Sequence, residues 1–206
     1  VQHRGPETDS LLRDMLQASC LLPVVEVEDK ERILGGRVYL APANYHLLVD
    51  NGCFSLSTEA PVSYARPSVD VLFESAADAC GAGVMAVVLT GANTDGTAGT
   101  AAVKRHGGLV VVQDPAMAEC PVMPKAAIAA WGHDRNSQNS GSCPQKTLHI
   151  LALEEIGPFI VGAAKKIADC HSHTTTVMPE VLVGHPETAS NKGKTCCHEE
   201  TKRTGF

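Results

Sequence analysis

The sequence predicts an α/β protein: a doubly wound, mostly parallel sheet with helices on both faces and an added antiparallel hairpin. Three observations carry that prediction. Val84 to Thr90 (VMAVVLT) and Leu109 to Gln113 (LVVVQ) are near-continuous apolar runs rich in β-branched residues, as strands covered on both faces require. Between them a turn, Gly91 to Gly96 (GANTDG), opens a small-residue helical stretch, Thr97 to His106, which Gly107-Gly108 ends. Strand, crossover helix and strand make a βαβ unit, so part of the sheet is parallel. Finally, His46 to Asp50 and Cys53 to Ser57 flank Asn51-Gly52, the dipeptide most at ease with the left-handed backbone of a two-residue hairpin turn.

The other elements follow in chain order. Ser10 to Ser19 places Leu11, Leu12, Met15 and Leu16 on one side of a helix. Pro23 to Val27 and Arg37 to Leu40 are short strands, the second stopped by Pro42. Ser68 to Cys80 is the clearest helix, with Val69, Leu72, Phe73, Ala76, Ala77 and Cys80 on one face. Ser68 suits its N-cap, Asp70 suits the positive end of its dipole, and Gly81 suits its C-terminal stop.

Composition divides the chain into a globular domain over 1–169, interrupted by a polar insert at 132–146 (GHDRNSQNSGSCPQK), and a tail over 170–206. The tail is poor in aliphatics and is expected to be disordered. Hydrophobic residues at 44% and charged residues at 19% suit a single soluble core. A net charge of -6 without a basic block argues against nucleic acid and anionic membrane as partners, and 4% aromatics argue against a base-stacking platform. No apolar run is long enough to cross a bilayer and the start shows no signal-peptide pattern, so membrane insertion is not expected and a cytoplasmic location is. Of eight cysteines, Cys20, Cys53, Cys80 and Cys120 lie singly in apolar or small-residue stretches and are expected to be buried thiols rather than disulfides. Cys170-His171-Ser172-His173 and Cys196-Cys197-His198 contain zinc-ligand types, but their spacing matches no standard site, and no metal or other cofactor is expected.

In open α/β sheets, chemistry sits beyond the carboxyl ends of the strands. His3 follows what reads as the end of a strand whose start is missing, and Asp95 lies in the turn after the strand ending at Thr90. A histidine can take a proton from a nucleophile, and a carboxylate behind it fixes its tautomer and stabilises the imidazolium. Backbone amides of a Gly-containing turn can hold an oxyanion. From spacing alone, a lone histidine near a terminus is more often a surface or cap residue, and an aspartate at a helix start is more often just an N-cap.

The chain resembles the catalytic domain of the CheB-type protein-glutamate methylesterases of bacterial chemotaxis. The matching stretches are VQH at Val1 to His3, GRVYLAP at Gly36 to Pro42, HLLV at His46 to Val49 and RPSVDVLF at Arg66 to Phe73. They continue with VLTGANTDGTAG at Val88 to Gly99, Gly107 to Asp114 and Met123-Pro124. The order and separations make the match specific. It implies a Ser-His-Asp triad whose histidine falls on His3 and whose aspartate falls on Asp95, and a backbone oxyanion donor at Ala92. Where the family often has Met followed by Gly-Asn, this chain has Ala92, Asn93 and Thr94; a backbone donor tolerates that change. The family serine sits in a Gly-rich loop upstream of VQH, and no Gly-x-Ser-x-Gly elbow occurs in these 206 residues. The expectation is therefore a domain that begins after its first strand and its serine.

The resemblance further implies methylated chemoreceptor cytoplasmic helices as the substrate, with a receiver domain or a chemotaxis kinase as further partners. The implied reaction is hydrolysis of glutamyl γ-methyl esters. A receptor-binding module with the same fold and no catalysis is the alternative. A nucleotide-binding βαβ protein fits less well, because the turn is neither a dinucleotide nor a Walker loop and Asp95 would repel phosphate.

Overall fold

The structure is a computed structural model and describes residues 1–3, 5, 11–132 and 148–171, with side chains to 164. Helix α1 (Leu11–Ser19) leads to the parallel pair β1 (Val24–Glu26) and β2 (Val38–Leu40). The hairpin β3 (His46–Asp50) and β4 (Cys53–Ser57) follows, then helix α2 (Val69–Cys80) and a single 3₁₀ turn, Gly81–Gly83. Strand β5 (Met85–Val88), helix α3 (Thr97–Arg105) and strand β6 (Leu109–Gln113) form the βαβ unit. Helix α4 (Val122–Gly132), strand β7 (Leu148–Leu151) and helix α5 (Leu153–His171) complete the described chain. The order β5-β6-β7 is parallel throughout, and the sheets are open, flanked by helices, with the antiparallel hairpin added. The predicted fold class is what the chain adopts.

Local sequence explains the elements that position the site. Asn51 (φ 47°) and Gly52 (φ 77°) take the left-handed pair of dihedrals that lets a two-residue turn follow the strand twist. The register Asp50↔Cys53 through His46↔Ser57 follows from it. Ser68 has extended dihedrals and its hydroxyl accepts from the Val71 N–H, which starts α2. Pro124 stands in the first turn of α4, where a missing N–H breaks no helical bond.

The core has two parts. Val110, Val111 and Val112 of β6 are fully buried, with Ala77, Ala86, Val88, Ala102, Val103, Met123 and Ala127 around the first and third. Each buried valine contributes about 1.5–3 kcal/mol by leaving water. The smaller part holds Val27, Ala41, Leu47 and Phe54, with Tyr39 edge-on to Phe54 at 4.8 Å.

Several expectations need correction. Strand β5 is not buried on both faces: Ala86 and Val88 are buried while Met85 and Val87 are half-buried, because β5 pairs on one side only among the described strands. Helix α1 forms but has no fully buried residue; Leu12 is half-buried while Leu11 and Met15 are exposed, because the described elements cover its apolar side only in part. The cysteines are not buried: Cys20, Cys53 and Cys120 are half-buried and Cys80 is exposed, though none forms a disulfide. Residues 1–3 lie in no strand among the described residues. Helix α4 falls where no element was assigned, and α5 continues to His171, two residues past the expected domain end. Nearly all of the polar insert and most of the tail, with its Cys/His pairs, lie outside the described residues.

Candidate active site

Asp95 and His3 are 92 residues apart in sequence, and the fold brings them into direct contact: His3 Nε2 lies 2.6 Å from Asp95 Oδ2. Asp95 is fully buried, and His3 is about one quarter exposed. A hydrophobic strand delivers Asp95 to this place. β5 ends at Val88, and the following turn is pinned to the chain ahead of α4 by Gly91 N–H to the Cys120 carbonyl at 3.1 Å and Met123 N–H to the Gly91 carbonyl at 3.0 Å. A side chain on Gly91 would stand 2.6 Å from the Met123 methyl and 3.0 Å from its Cβ, so the Met123 side chain would have to move to admit one. Within the turn the Asn93 side chain accepts from the Asp95 N–H at 3.1 Å, and Gly96 takes φ 93° to start α3.

The bland reading of Asp95 as a helix cap is half right, for the wrong helix. Asp95 precedes α3, yet its carboxylate sits on the N-terminus of α2. Oδ2 accepts from Val69 N–H at 2.6 Å. Oδ1 accepts from Asp70 N–H at 2.9 Å, from the Ser68 hydroxyl at 2.7 Å and from Gly96 N–H at 3.1 Å. The helix dipole adds to these donors. Burial alone would push the carboxyl up. The hydrogen bonds from His3, the Asp70 and Val69 amides and the Ser68 hydroxyl outweigh burial and lower it to about 2. Asp95 is thus a fixed negative charge at neutral pH. It can only accept, so the proton between the two residues sits on His3 Nε2, which leaves Nδ1 as the ring nitrogen able to take a proton.

Asp70, one turn away, behaves oppositely. It accepts from the Gly99 N–H at 2.8 Å, tying α2 to α3, but burial raises its pKa; the Gly99 bond lowers it, and the charges of Asp95 and Glu74 raise it again. Gly99 is required there, since a β-carbon would come within 2.5 Å of Phe73 Cβ.

Ala92 is exposed in the same turn, and its N–H has no hydrogen-bond partner among the described residues. It is available to donate to an outside oxygen. Arg66 is a brace: its guanidinium donates to the Asn44 side chain and to the Thr58 and Glu59 carbonyls, joining two loops. Two contacts were not foreseen. Ser68 was expected to cap α2 and also holds Asp95. His46, read only as the start of a hairpin strand, is 1% exposed and bonded to the Ser68 N–H through Nδ1 at 3.2 Å. No spacing rule links residues 22 and 27 positions apart on different elements. Among the described residues no group of three His, Cys, Asp or Glu is placed to hold a metal, and no helix is long and apolar enough to cross a membrane.

Comparison with known proteins gives a consistent set of relatives. The family model described as CheB methylesterase matches residues 1–140. A Leptospira interrogans protein, provisionally named protein-glutamate methylesterase/protein-glutamine glutaminase, is 40% identical over 162 residues, which are 78% of this chain and 77% of that protein. A protein-glutamate methylesterase/protein-glutamine glutaminase of Rhodospirillum centenum is 34% identical over 172 residues, 82% of this chain but 40% of that one. A Burkholderia lata protein of the same name is 42% identical over 138 residues, 65% of this chain and 38% of that one. The chain therefore spans about three quarters of the first relative and about two fifths of the other two. Among solved structures, the CheB methylesterase catalytic domain of Thermotoga maritima aligns with a TM-score of 0.68 at 30% identity, over 79% of this chain and 80% of that one.

Proposed function

The chain belongs to the CheB methylesterase family, and we propose that it carries the base and the orienting acid of a protein-glutamate methylesterase. The substrate is a glutamyl γ-methyl ester on the cytoplasmic helices of a chemoreceptor; the products are methanol and glutamate. The observation that carries this is the 2.6 Å contact of His3 with a buried Asp95 that is ionised at neutral pH. A capping aspartate needs no histidine, and a surface histidine needs no buried partner.

The chemistry follows from the geometry. A serine hydroxyl attacks the ester carbonyl carbon and gives its proton to His3 Nδ1. Asp95 holds the resulting imidazolium through Nε2–H. The Ala92 N–H donates to the tetrahedral oxyanion. The intermediate collapses, His3 returns the proton to the departing methoxide, and methanol leaves an acyl-serine. Water then repeats the sequence in reverse roles, releasing glutamate and the serine. No cofactor enters either half.

The serine belongs, in this proposal, to a Gly-rich loop that precedes the VQH segment. The described serines offer little alternative: none is bonded to the His3 ring, and Ser68 is fully buried with its hydroxyl committed to Asp95 and to α2. Without such a loop, the same fold acts as a receptor-binding module. The relatives' names also include glutamine glutaminase. With a glutamine amide, collapse of the tetrahedral intermediate to the same acyl-serine would release ammonia, His3 Nδ1–H protonating the leaving nitrogen. We assign this chemistry to a domain over 1–169, whose last helix, α5, runs two residues further to His171.

The test is methanol release from a methylated receptor, measured with the protein carrying the upstream segment. Release by the parent and loss in His3→Ala is the expected result. Turnover unchanged in His3→Ala would sink the proposal, and receptor binding without turnover by the parent would favour the binding module.

A further inference from the structure

The hydrogen bonds that hold Asp95 do not end at α2. Ser68 has no solvent exposure. Its hydroxyl donates to Asp95 Oδ1 at 2.7 Å and accepts from the Val71 N–H at 3.4 Å, while its own N–H points at His46 Nδ1, 3.2 Å away. His46 Nε2 faces the Ala60 carbonyl at 3.1 Å. A carbonyl only accepts, so Nε2 carries the ring proton and Nδ1 is the lone pair that takes the Ser68 N–H. The ring is held in one tautomer from both ends. The whole chain runs from the Ala60 carbonyl through His46 and Ser68 to Asp95 and His3. It joins the hairpin, the start of α2 and the turn after β5.

We infer that Ser68 and His46 are positioning residues: His46 clamps the backbone of the α2 cap, and the cap hydroxyl fixes the Asp95 carboxylate so that Oδ2 meets His3. Its bearing on turnover rests on the reaction proposed above; the placement of Asp95 does not. Asp95 needs such a holder because its two oxygens have different tasks. Oδ1 takes Ser68, Asp70 and Gly96, and Oδ2 takes Val69 and His3. The two oxygens are chemically equivalent, so a half-turn would restore every contact, but a partial rotation or tilt of the carboxylate would draw Oδ2 away from His3 and Val69. A hydroxyl donor on Oδ1 opposes that rotation. Were His46 to bind a second proton, Nδ1 would stop accepting and the Ser68 N–H would be stranded in a dry site. The other titratable groups close to Asp95 are His3, Asp70 across the α2 cap and, beyond Asp70, Glu74.

Capping and positioning can be separated. Glycine is nearly as good an N-cap as serine where water reaches the cap; here Ser68→Gly also removes a buried bond to a carboxylate, so the protein should fold with a melting temperature several degrees below the parent, a loss that Ser68→Thr should recover. Ser68→Thr keeps the hydroxyl. His46→Gln keeps one acceptor and one donor, and His46→Leu keeps neither. Two NMR readouts on labelled protein need no turnover: the carboxyl titration of Asp95 and the downfield ring N–H of His3. In Ser68→Gly the Asp95 midpoint should rise from about 2 by at least about half a unit, and the His3 N–H signal should broaden or vanish. Ser68→Thr should restore both. His46→Leu should copy the loss and His46→Gln should recover it. An Asp95 midpoint and a His3 signal that stay put in a folded Ser68→Gly protein overturn the inference and leave Ser68 as a cap alone. With methylated receptor, Ser68→Gly should lower kcat about tenfold and leave KM unchanged. A parent protein that shows the NMR pattern but releases no methanol fails the reaction only.

Discussion

The seam where α2 meets α3 and the margin formed by α1 and β1 are built from equally ordinary sequence, yet they are held in unlike ways. At the seam nearly every polar group has a partner. Asp95 takes five donors, Asp70 takes the Gly99 N–H, and Gly99 lets the two helices touch. At the margin, α1 has no fully buried residue, and its side-chain hydrogen bond to β1 is made by Gln17, which accepts from the Val24 N–H at 2.9 Å. Apolar pattern makes a helix in both places. Only where a second helix comes close enough to exclude water do hydrogen bonds gain the strength to fix one side chain in one pose.

Substitutions should divide along that line. The largest effect is expected on turnover at the seam. Asp95→Asn should lower methanol release by about 10⁴-fold, because an amide supports the wrong tautomer of His3. A loss below tenfold would remove Asp95 from the reaction. Gly99→Ala comes next. Its methyl would enter 2.5 Å from Phe73 Cβ and 3.2 Å from the Asp70 backbone, and urea denaturation should show a loss of about 1–3 kcal/mol. No change there would mean that the helices separate more easily than the close contact implies.

The third effect concerns pH and sets the two carboxylates of the seam against each other. Asp95 falls from an ordinary 3.8 to about 2 on folding, which is worth about 2 kcal/mol. A lowered carboxylate stabilises above its unfolded pKa, so this contribution is complete above about pH 4 and is lost as pH falls toward 2. Asp95→Asn should flatten the stability curve in that window. Asp70 has the opposite sign: its pKa is raised, so its contribution is present below 3.8 and lost as pH rises through its folded value. Asp70→Asn keeps an oxygen for the Gly99 N–H and should therefore be neutral or stabilising at pH 7, by denaturant midpoint. Destabilisation there would show that the Asp70 charge is wanted. Smallest of all should be Leu11→Ala or Met15→Gln on α1. Both side chains are more than half exposed, and thermal melts should place the changes within about 0.5 kcal/mol. A larger loss would reveal that this face is covered in solution.

What the sequence by itself determined was everything carried by short-range pattern. The hairpin register follows from Asn51-Gly52, α2 from its apolar face and its serine cap, and the βαβ unit from two valine-rich runs around a Gly-bounded helix. His3 and Asp95 were legible only through resemblance, since nothing local distinguishes either from a surface or capping residue. Tertiary structure alone decided which helix Asp95 caps, that Ser68 serves Asp95 as well as α2, and that His46 stands behind both. It also decided that the apolar faces of α1 and β5 are only partly covered. The physical reason is common to all of these. Propensity and periodicity act over a few residues, whereas a hydrogen bond in a dry site depends on which distant element excludes the water, and that is known only when the layers have met.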